Sequence, residues 1–577
     1  MRRHISIFIL LLPLLIASCG KDQKNNPEKQ EPATLYFGGD IVTMDGNEPQ
    51  YAEAVVEQEG KILFVGKLKE AESQFKDAQK KDLNGNTMLP GFIDSHSHFS
   101  IALGLVNQAN LSSPPMGEVK NFNDIQNALV ELKNSRNIAE GEWVIGWGYD
   151  PFQLEENRDI TKAELDEVLP NHKVMLVHIS NHGAVLNSKA LEWAGINAKT
   201  EQPAGGVIAR MEGSMEPAGM VFETAYLPVK AKKPKPNETE LMNSVEDVVR
   251  QYAENGYTHA QDGATFTHEA IFLKKAAKEG KLDIDLAVLM LFAEKDKWAN
   301  SEITFDQEYS NHLKFQGVKI VQDGSPQGKT AYMSEEYLTD GPAGEPDWFG
   351  EPTMTRDEFT SLFSEFWNSG LQVFVHVNGD AASDDLIYAM ESVEAKADQD
   401  RRTVSIHTQF HRKDQIEKFA KLGISPTYFT NHCFYWGDDH TANQGAKRGS
   451  FISPMKSAIN AGLVVSNHSD FNVTPLDPFF ILWTSMTRET RSGLKLDQNE
   501  NLSAYEALQA LTTGGAYQMF EENRKGMIKQ GLLADFVIID QNPLKIETDL
   551  IKEINVLETI KEGQSIYKIK TNTNNGY

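Results

Sequence analysis

Short apolar runs alternating with amphipathic stretches dominate the middle of the chain. "GFIDSH", "GYTHAQDG", "IDLAVLMLFAE", "GVKIVQDG", "LQVFVHVNGD", "TVSIHTQF", "ISPTYFT" and "LVVSNHSD" are each bounded by turn or polar residues and read as buried strands. Between most of them lie helix-periodic stretches such as "RDEFTSLFSEFWNSG", "ASDDLIYAMESVEAKA" and "DQIEKFAKLG". Strands alternating with amphipathic helices predict βα units on a parallel sheet. Eight such runs predict an α/β fold, a (β/α)8 TIM barrel, over residues 89–524. The flanks differ in texture. Residues 34–88 and 525–570 are strand-and-turn sequence and predict one small β-sandwich domain built from both ends of the chain. Residues 105–235, inserted after the first barrel strand, carry the aromatic segment "GEWVIGWGYDPF" and predict a lid or substrate subdomain at the barrel mouth.

The first residues do not belong to that pattern. Arg2 and Arg3 precede the apolar run "ISIFILLLPLLIA", which is too short to span a bilayer comfortably and ends at "SCG". This reads as an export signal over residues 1–18. "LIASC" resembles the lipobox of bacterial lipoproteins, which implies cleavage before Cys19 and lipid on its sulfur. Residues 19–33 are then a polar tether. The expected location is the bacterial cell envelope, with membrane contact through the Cys19 lipid.

Composition narrows the function. A formal net charge of −26 argues against a nucleic-acid partner. The two cysteines, Cys19 and Cys433, cannot form a disulfide framework. Cys433 has no assignable base and is a poor candidate nucleophile.

His96 and His98 stand two positions apart at the end of the first run, so on a strand they share a face at the catalytic end of a barrel. His376 ends "QVFVH", His407 ends "TVSIH", Asp470 ends "LVVSNHSD", and Lys319 lies inside "GVKIVQDG". Burying these groups together without a cation would leave their lone pairs competing for few donors. Asp262 and Asp323, each followed by Gly, read as turn residues.

The ordered set, HxH then Lys, His, His and Asp, resembles the amidohydrolase superfamily. "LPGFIDSHSH", "GVKIVQDGSPQGKTA", "QVFVHVNGDAA", "SDFNVTPLDP" and "GLLADFVIID" are similar to amidohydrolase family 3, which includes N-substituted formamide deformylases. The resemblance implies His96, His98 and Asp470 on one divalent metal, His376 and His407 on a second, and Lys319 as a carboxylated bridge. Imidazole and carboxylate ligands suit zinc, one ion or two. Asp470 would move the proton from water to the leaving amine of a small amide-type substrate. His182, in "VHISNHGAVLNSKAL", resembles a family histidine that approaches the substrate carbonyl, with His178 a weaker candidate. His468, two residues before Asp470, and His432 and Trp436, after the seventh run, are candidate substrate contacts. Two other readings stay open: a lipoprotein that binds a small molecule on the same barrel without turning it over, and a heterocycle deaminase. Substrate identity and homo-oligomer formation stay open too.

Overall fold

Eight parallel strands, hydrogen-bonded in chain order, make the central sheet: Phe92–Ile93, Tyr257–Thr265, Asp285–Leu291, Leu313–Val321, Gln372–Val377, Thr403–His407, Ile424–Tyr428 and Ser466–Asn467. They come from a computed structural model that describes residues 32–570, except 115, 180–181, 204–205, 234, 307 and 343–344. The export segment and Cys19 lie outside the described residues. Each strand overlaps one of the eight apolar runs, with Leu313–Val321 beginning four residues before "GVKIVQDG" and Tyr257–Thr265 ending two residues after "GYTHAQDG". Their apolar residues are buried almost throughout, as in Leu313–Val321 and Thr403–His407, because helices such as Glu238–Glu254 and Arg356–Asn368 cover the sheet. Both of these helices begin with a capping box: Asn237 with Glu240, and Thr355 with Glu358.

The sheet curls until its ends meet. Asp470 N–H donates to His96 O at 3.1 Å and His98 N–H to Phe471 O at 2.6 Å. The Ser95 hydroxyl reaches Asn467 O at 3.2 Å. One expectation changes here. The first and last strands are only two residues long, so His96, His98 and Asp470 lie beyond them instead of alternating along them. His98 caps the helix Phe99–Leu105.

The terminal segments form a single eight-stranded sheet and not two stacked sheets. The two ends of the chain join where Phe536–Ile539 pairs antiparallel with Thr87–Pro90. Tyr36, Ile41, Val55, Met88, Phe536 and Ile560 pack together on it. Within residues 105–235 lies a third, six-stranded sheet running from Ala109–Asn110 to Pro217–Glu223. Its core includes Leu111, Ile125, Leu129, Val144, Val174 and Val185. No helix among the described residues is long and apolar enough to cross a membrane.

A buried ion network ties the terminal sheet to the central one at the strands' N-terminal ends. Asp285 opens its strand, fully buried, and accepts from Arg524 at 2.9 Å and His312 at 2.8 Å, with Lys561 at 3.1 Å and Lys525 closer still. Lys561 also bonds Asp535 at 3.0 Å. Burial acts to raise the Asp285 carboxyl, but Lys525 and Lys561 outweigh it and hold it well below its ordinary value. Removing one partner of such a network strands the other charges in a dry interior. Asp285→Ala is therefore expected to destabilise the fold by ~3–5 kcal/mol. Urea unfolding of the variant against the parent checks this, and an unchanged midpoint would show that the network carries no such weight.

Candidate metal centre

At the opposite, C-terminal end of the same strands, polar side chains gather in the sheet's interior. His96 is fully buried. Its Nε2 lies 3.6 Å from Asp470 Oδ1 and 3.3 Å from Lys319 Nζ, and its ring centroid is 5.2 Å from those of His98 and His407. His98 Nε2 stands 3.3 Å from the same Asp470 oxygen. His376 packs edge-on against His407 with centroids 4.6 Å apart. The fold thus brings His96, His98, Lys319, His376, His407 and Asp470 into one cluster.

Local backbone conformation serves this convergence. His407 and Asp470 both adopt left-handed backbone, with φ of 71° and 52°, a region costly for residues bearing a Cβ. Gly263 lies inside the strand Tyr257–Thr265 because a Cβ there would fall 2.1 Å from His96 Cε1. The Asp-Gly pair expected to form a turn is therefore part of a strand. Asp262 instead accepts from Ser100 N–H at 3.1 Å and the Ser100 hydroxyl at 2.6 Å, fixing the start of the helix after His98. Asp323 accepts from the backbone N–H groups of Tyr332, Asn378 and Gly379 and so anchors the loop following His376.

The electrostatics suit a cation. Burial, then the Lys319 charge, holds His96 well below its ordinary pKa and His376 down to about 4, so both imidazoles are neutral at pH 7. Burial also pushes Lys319 down to about 7. Burial alone would raise Asp470, but the neighbouring His98, His468 and Lys319 reverse this and lower it. Asp470 Oδ1 is buried yet accepts no hydrogen bond, despite two histidine nitrogens nearby. A buried carboxylate oxygen that faces several imidazole nitrogens without a well-formed hydrogen bond suits a positive ion. His96, His407 and Asp470 each offer a ligand atom within 4.8 Å of the others. This nitrogen and carboxylate set fits zinc or another first-row divalent ion. Asp285, His312 and Glu562 also lie close together, but the ammonium groups on Asp285 already occupy that site.

Other candidate residues are dispersed. His468 is fully buried, with Nε2 3.0 Å from His407 Nδ1 and Nδ1 2.9 Å from Thr427 Oγ1, so neither nitrogen is left for a substrate. His432 is buried and stacked on His440, their rings 5.3 Å apart and 8° from parallel. Trp436 does line a cavity of ≈ 970 Å³ that also borders Phe471 and Asn472, next to Asp470. Apolar groups prevail in that lining, among them Ile101, Leu105, Trp147, Met175 and Leu476. His178 lines it and His182 does not. His182 is exposed and bonds Glu223 at 3.0 Å. Strands Lys173–His178 and Gly183–Leu186 pair antiparallel, and His182 sits just outside the second of them. Sequence reasoning missed Gln261, whose Oε1 lies 3.1 Å from His96 Nδ1. A lone glutamine in a strand carries no spacing signal.

Comparison with known proteins gives this cluster a context. Residues 80–567 match the amidohydrolase family, branch 3. The chain belongs to the amidohydrolase family. It is a hydrolase of carbon–nitrogen bonds. It is 28% identical over 550 residues to the N-substituted formamide deformylase of Arthrobacter pascens, covering 92% of this chain and 98% of that one. It is 27% identical over 547 residues to YtcJ of Bacillus subtilis, which carries an amidohydrolase name, covering 92% and 99%. Among solved structures, an uncharacterised metal-dependent hydrolase from Pyrococcus furiosus shares the fold with a TM-score of 0.69 at 22% identity. That match covers 89% of this amidohydrolase and all of the other chain, 100%.

Gly263→Ala forces a methyl group into the His96 ring. It is expected to weaken metal retention about tenfold or more, as disturbed ligand orientation commonly does. Metal retained by the purified variant against a graded chelator series checks this, with parent-like retention as the contrary result.

Proposed function

We propose that this amidohydrolase closes its curled sheet as a full (β/α)8 barrel and hydrolyses an amide-type bond of a small molecule at the His96–Asp470 cluster, with one or two divalent ions, zinc by ligand preference. The observation carrying the reading is the buried Asp470 Oδ1, which lies 3.6 Å from His96 Nε2 and 3.3 Å from His98 Nε2 and has no well-formed hydrogen bond. His96, His98 and Asp470 would hold one ion, and His376 and His407 a second. A bound divalent ion supplies Lewis-acid polarisation of the substrate carbonyl and makes water acidic enough to react near neutral pH.

The chain's own groups do the rest. Asp470, kept ionised by its neighbours, takes a proton from the attacking water and returns it to the departing nitrogen. Lys319, deprotonated in part near pH 7, is poised to add CO₂, losing one proton and becoming an anionic carbamate that would help hold a divalent ion. The ≈ 970 Å³ cavity beside Asp470 is apolar and aromatic, which favours a substrate with a bulky apolar group next to its amide. Trp436 and His178 contribute to that contact. The deformylase relative supports testing N-formyl compounds alongside N-acyl ones.

Metal analysis by mass spectrometry, combined with a screen of N-acyl and N-formyl compounds, tests the proposal. The parent is expected to carry stoichiometric divalent metal and to hydrolyse one of these classes. Asp470→Asn should fold normally and lose at least about a hundredfold in turnover, the usual scale for a lost proton-transfer group. Lys319→Ala should retain less metal per chain. A metal-free parent, or an Asp470→Asn variant of full activity, would end this reading.

The proposal includes display at the cell envelope through lipid on Cys19. Cells fed a labelled fatty acid should label the parent, whereas Cys19→Ala should take up no label. Equal labelling of the two would place any lipid elsewhere.

A further inference from the structure

The cavity beside Asp470 is not apolar throughout. Its wall includes Lys230 and Lys233, three positions apart at the end of the short helix Leu227–Lys232, where that spacing puts them on one face. Lys232, between them, is exposed and does not line the cavity. Lys230 lies over the Tyr226 ring, 5.9 Å from its centroid. Lys233 is half-buried, and its ammonium makes no ion pair or hydrogen bond among the described residues. Burial, then the charge of Lys230, lowers its pKa.

Nothing else on the wall balances these two charges. Asp477 is its one carboxylate, and Asp477 Oδ1 caps the helix Pro478–Thr487 by accepting from Phe479 N–H at 3.0 Å and Phe480 N–H at 2.9 Å. Tyr226 and His178 are neutral at pH 7, because burial raises the first and lowers the second. The dipole of the short helix favours a lysine at its C-terminal end, but the exposed Lys232 already meets that preference from solvent. The chain has 82 acidic residues against 56 lysines and arginines, so an ammonium left on an apolar wall without a carboxylate is a departure from its general pattern. A partly dehydrated, unpaired charge is costly, and an anion entering the cavity removes that cost. Low-dielectric walls make the attraction stronger than it would be in open water.

We propose that the substrate is an amide whose apolar body ends in a carboxylate, which Lys233 binds and the charge of Lys230 helps to attract. This rests on the amide hydrolysis proposed above and narrows it. One continuous cavity borders Phe471 and Asn472, next to Asp470, and also Lys230 and Lys233. The amide is held at the first of these places and the anion at the second, with Leu105, Trp147, Met175 and Leu476 among the apolar groups lining the same space. Lys233 is then a specificity residue, selecting acids over neutral amides of the same shape.

The test uses the full chain and a series of N-formyl- and N-acetyl-ω-aminoalkanoates of increasing length, each against its own methyl ester, with release of the amine as the readout. The parent is expected to cleave the best acid with kcat/KM about tenfold or more above that of its ester, the scale of a hydrogen bond to a charged group. Lys233→Met should bring the acid-to-ester ratio close to one, mainly through a higher KM for the acid. Lys233→Arg should keep the preference, and Lys233→Glu should invert it. A parent that cleaves esters as well as acids overturns the proposal while leaving amide hydrolysis standing, and this result decides the matter even where Lys233→Met fails to fold. A Lys233→Met variant with the full acid preference overturns it too. If no compound is cleaved, the hydrolysis reading fails by itself, and calorimetric binding of the same pairs decides the anion site. Tighter binding of acids than of esters by the parent, lost in Lys233→Met, is then the expected result, and equal binding by the parent the contrary one.

Discussion

The meeting of the central sheet's two ends is the constraint on which the site depends. Two main-chain hydrogen bonds, Asp470 N–H to His96 O and His98 N–H to Phe471 O, hold together segments that lie at opposite ends of the sheet order. They place a carboxylate within 3.6 Å of one imidazole nitrogen and 3.3 Å of another. The outer strands are short for the same reason. Past Ile93 and Asn467 the backbone leaves regular pairing so that side chains can turn inward, and left-handed backbone at Asp470 and His407 continues that turn.

The two ends of the sheet show opposite solutions to burying charge. At the N-terminal end, Asp285, Asp535, Glu521 and Glu562 are matched by Lys314, Arg524, Lys525 and Lys561, so charge is neutralised within the protein. At the C-terminal end, neutral imidazoles, one carboxylate and a lysine pushed down to about 7 supply lone pairs without enough hydrogens to go round. The first arrangement is complete without any ligand. The second has the ligand atoms to hold a cation. This difference in hydrogen and charge balance, more than residue type alone, separates a structural network from a reactive centre.

Around the centre lies a network of buried polar contacts. His468 touches both His407 and Thr427, and Ser95 and Ser466 extend these buried contacts to Gln518. The apolar cavity beside Asp470 is built differently, from the helix after His98, the insertion and the loop after Asp470.

Strand periodicity and the polar residues ending each apolar run were legible from the amino-acid order, because both are local: a buried strand must be apolar along its length, and His96, His98, Lys319, His376, His407 and Asp470 interrupt or end such runs. The composite sheet from the two termini was legible from texture in the same way. Tertiary structure alone decided that those terminal strands form one sheet, that His178 and not His182 lines the cavity, and that His468 contacts His407 and Thr427. It alone recruited Gln261 and Gln518. These outcomes depend on which hydrogen-bond partners arrive from elsewhere in the chain, and a donor's direction is settled only when its acceptor, often more than a hundred residues distant, is in place.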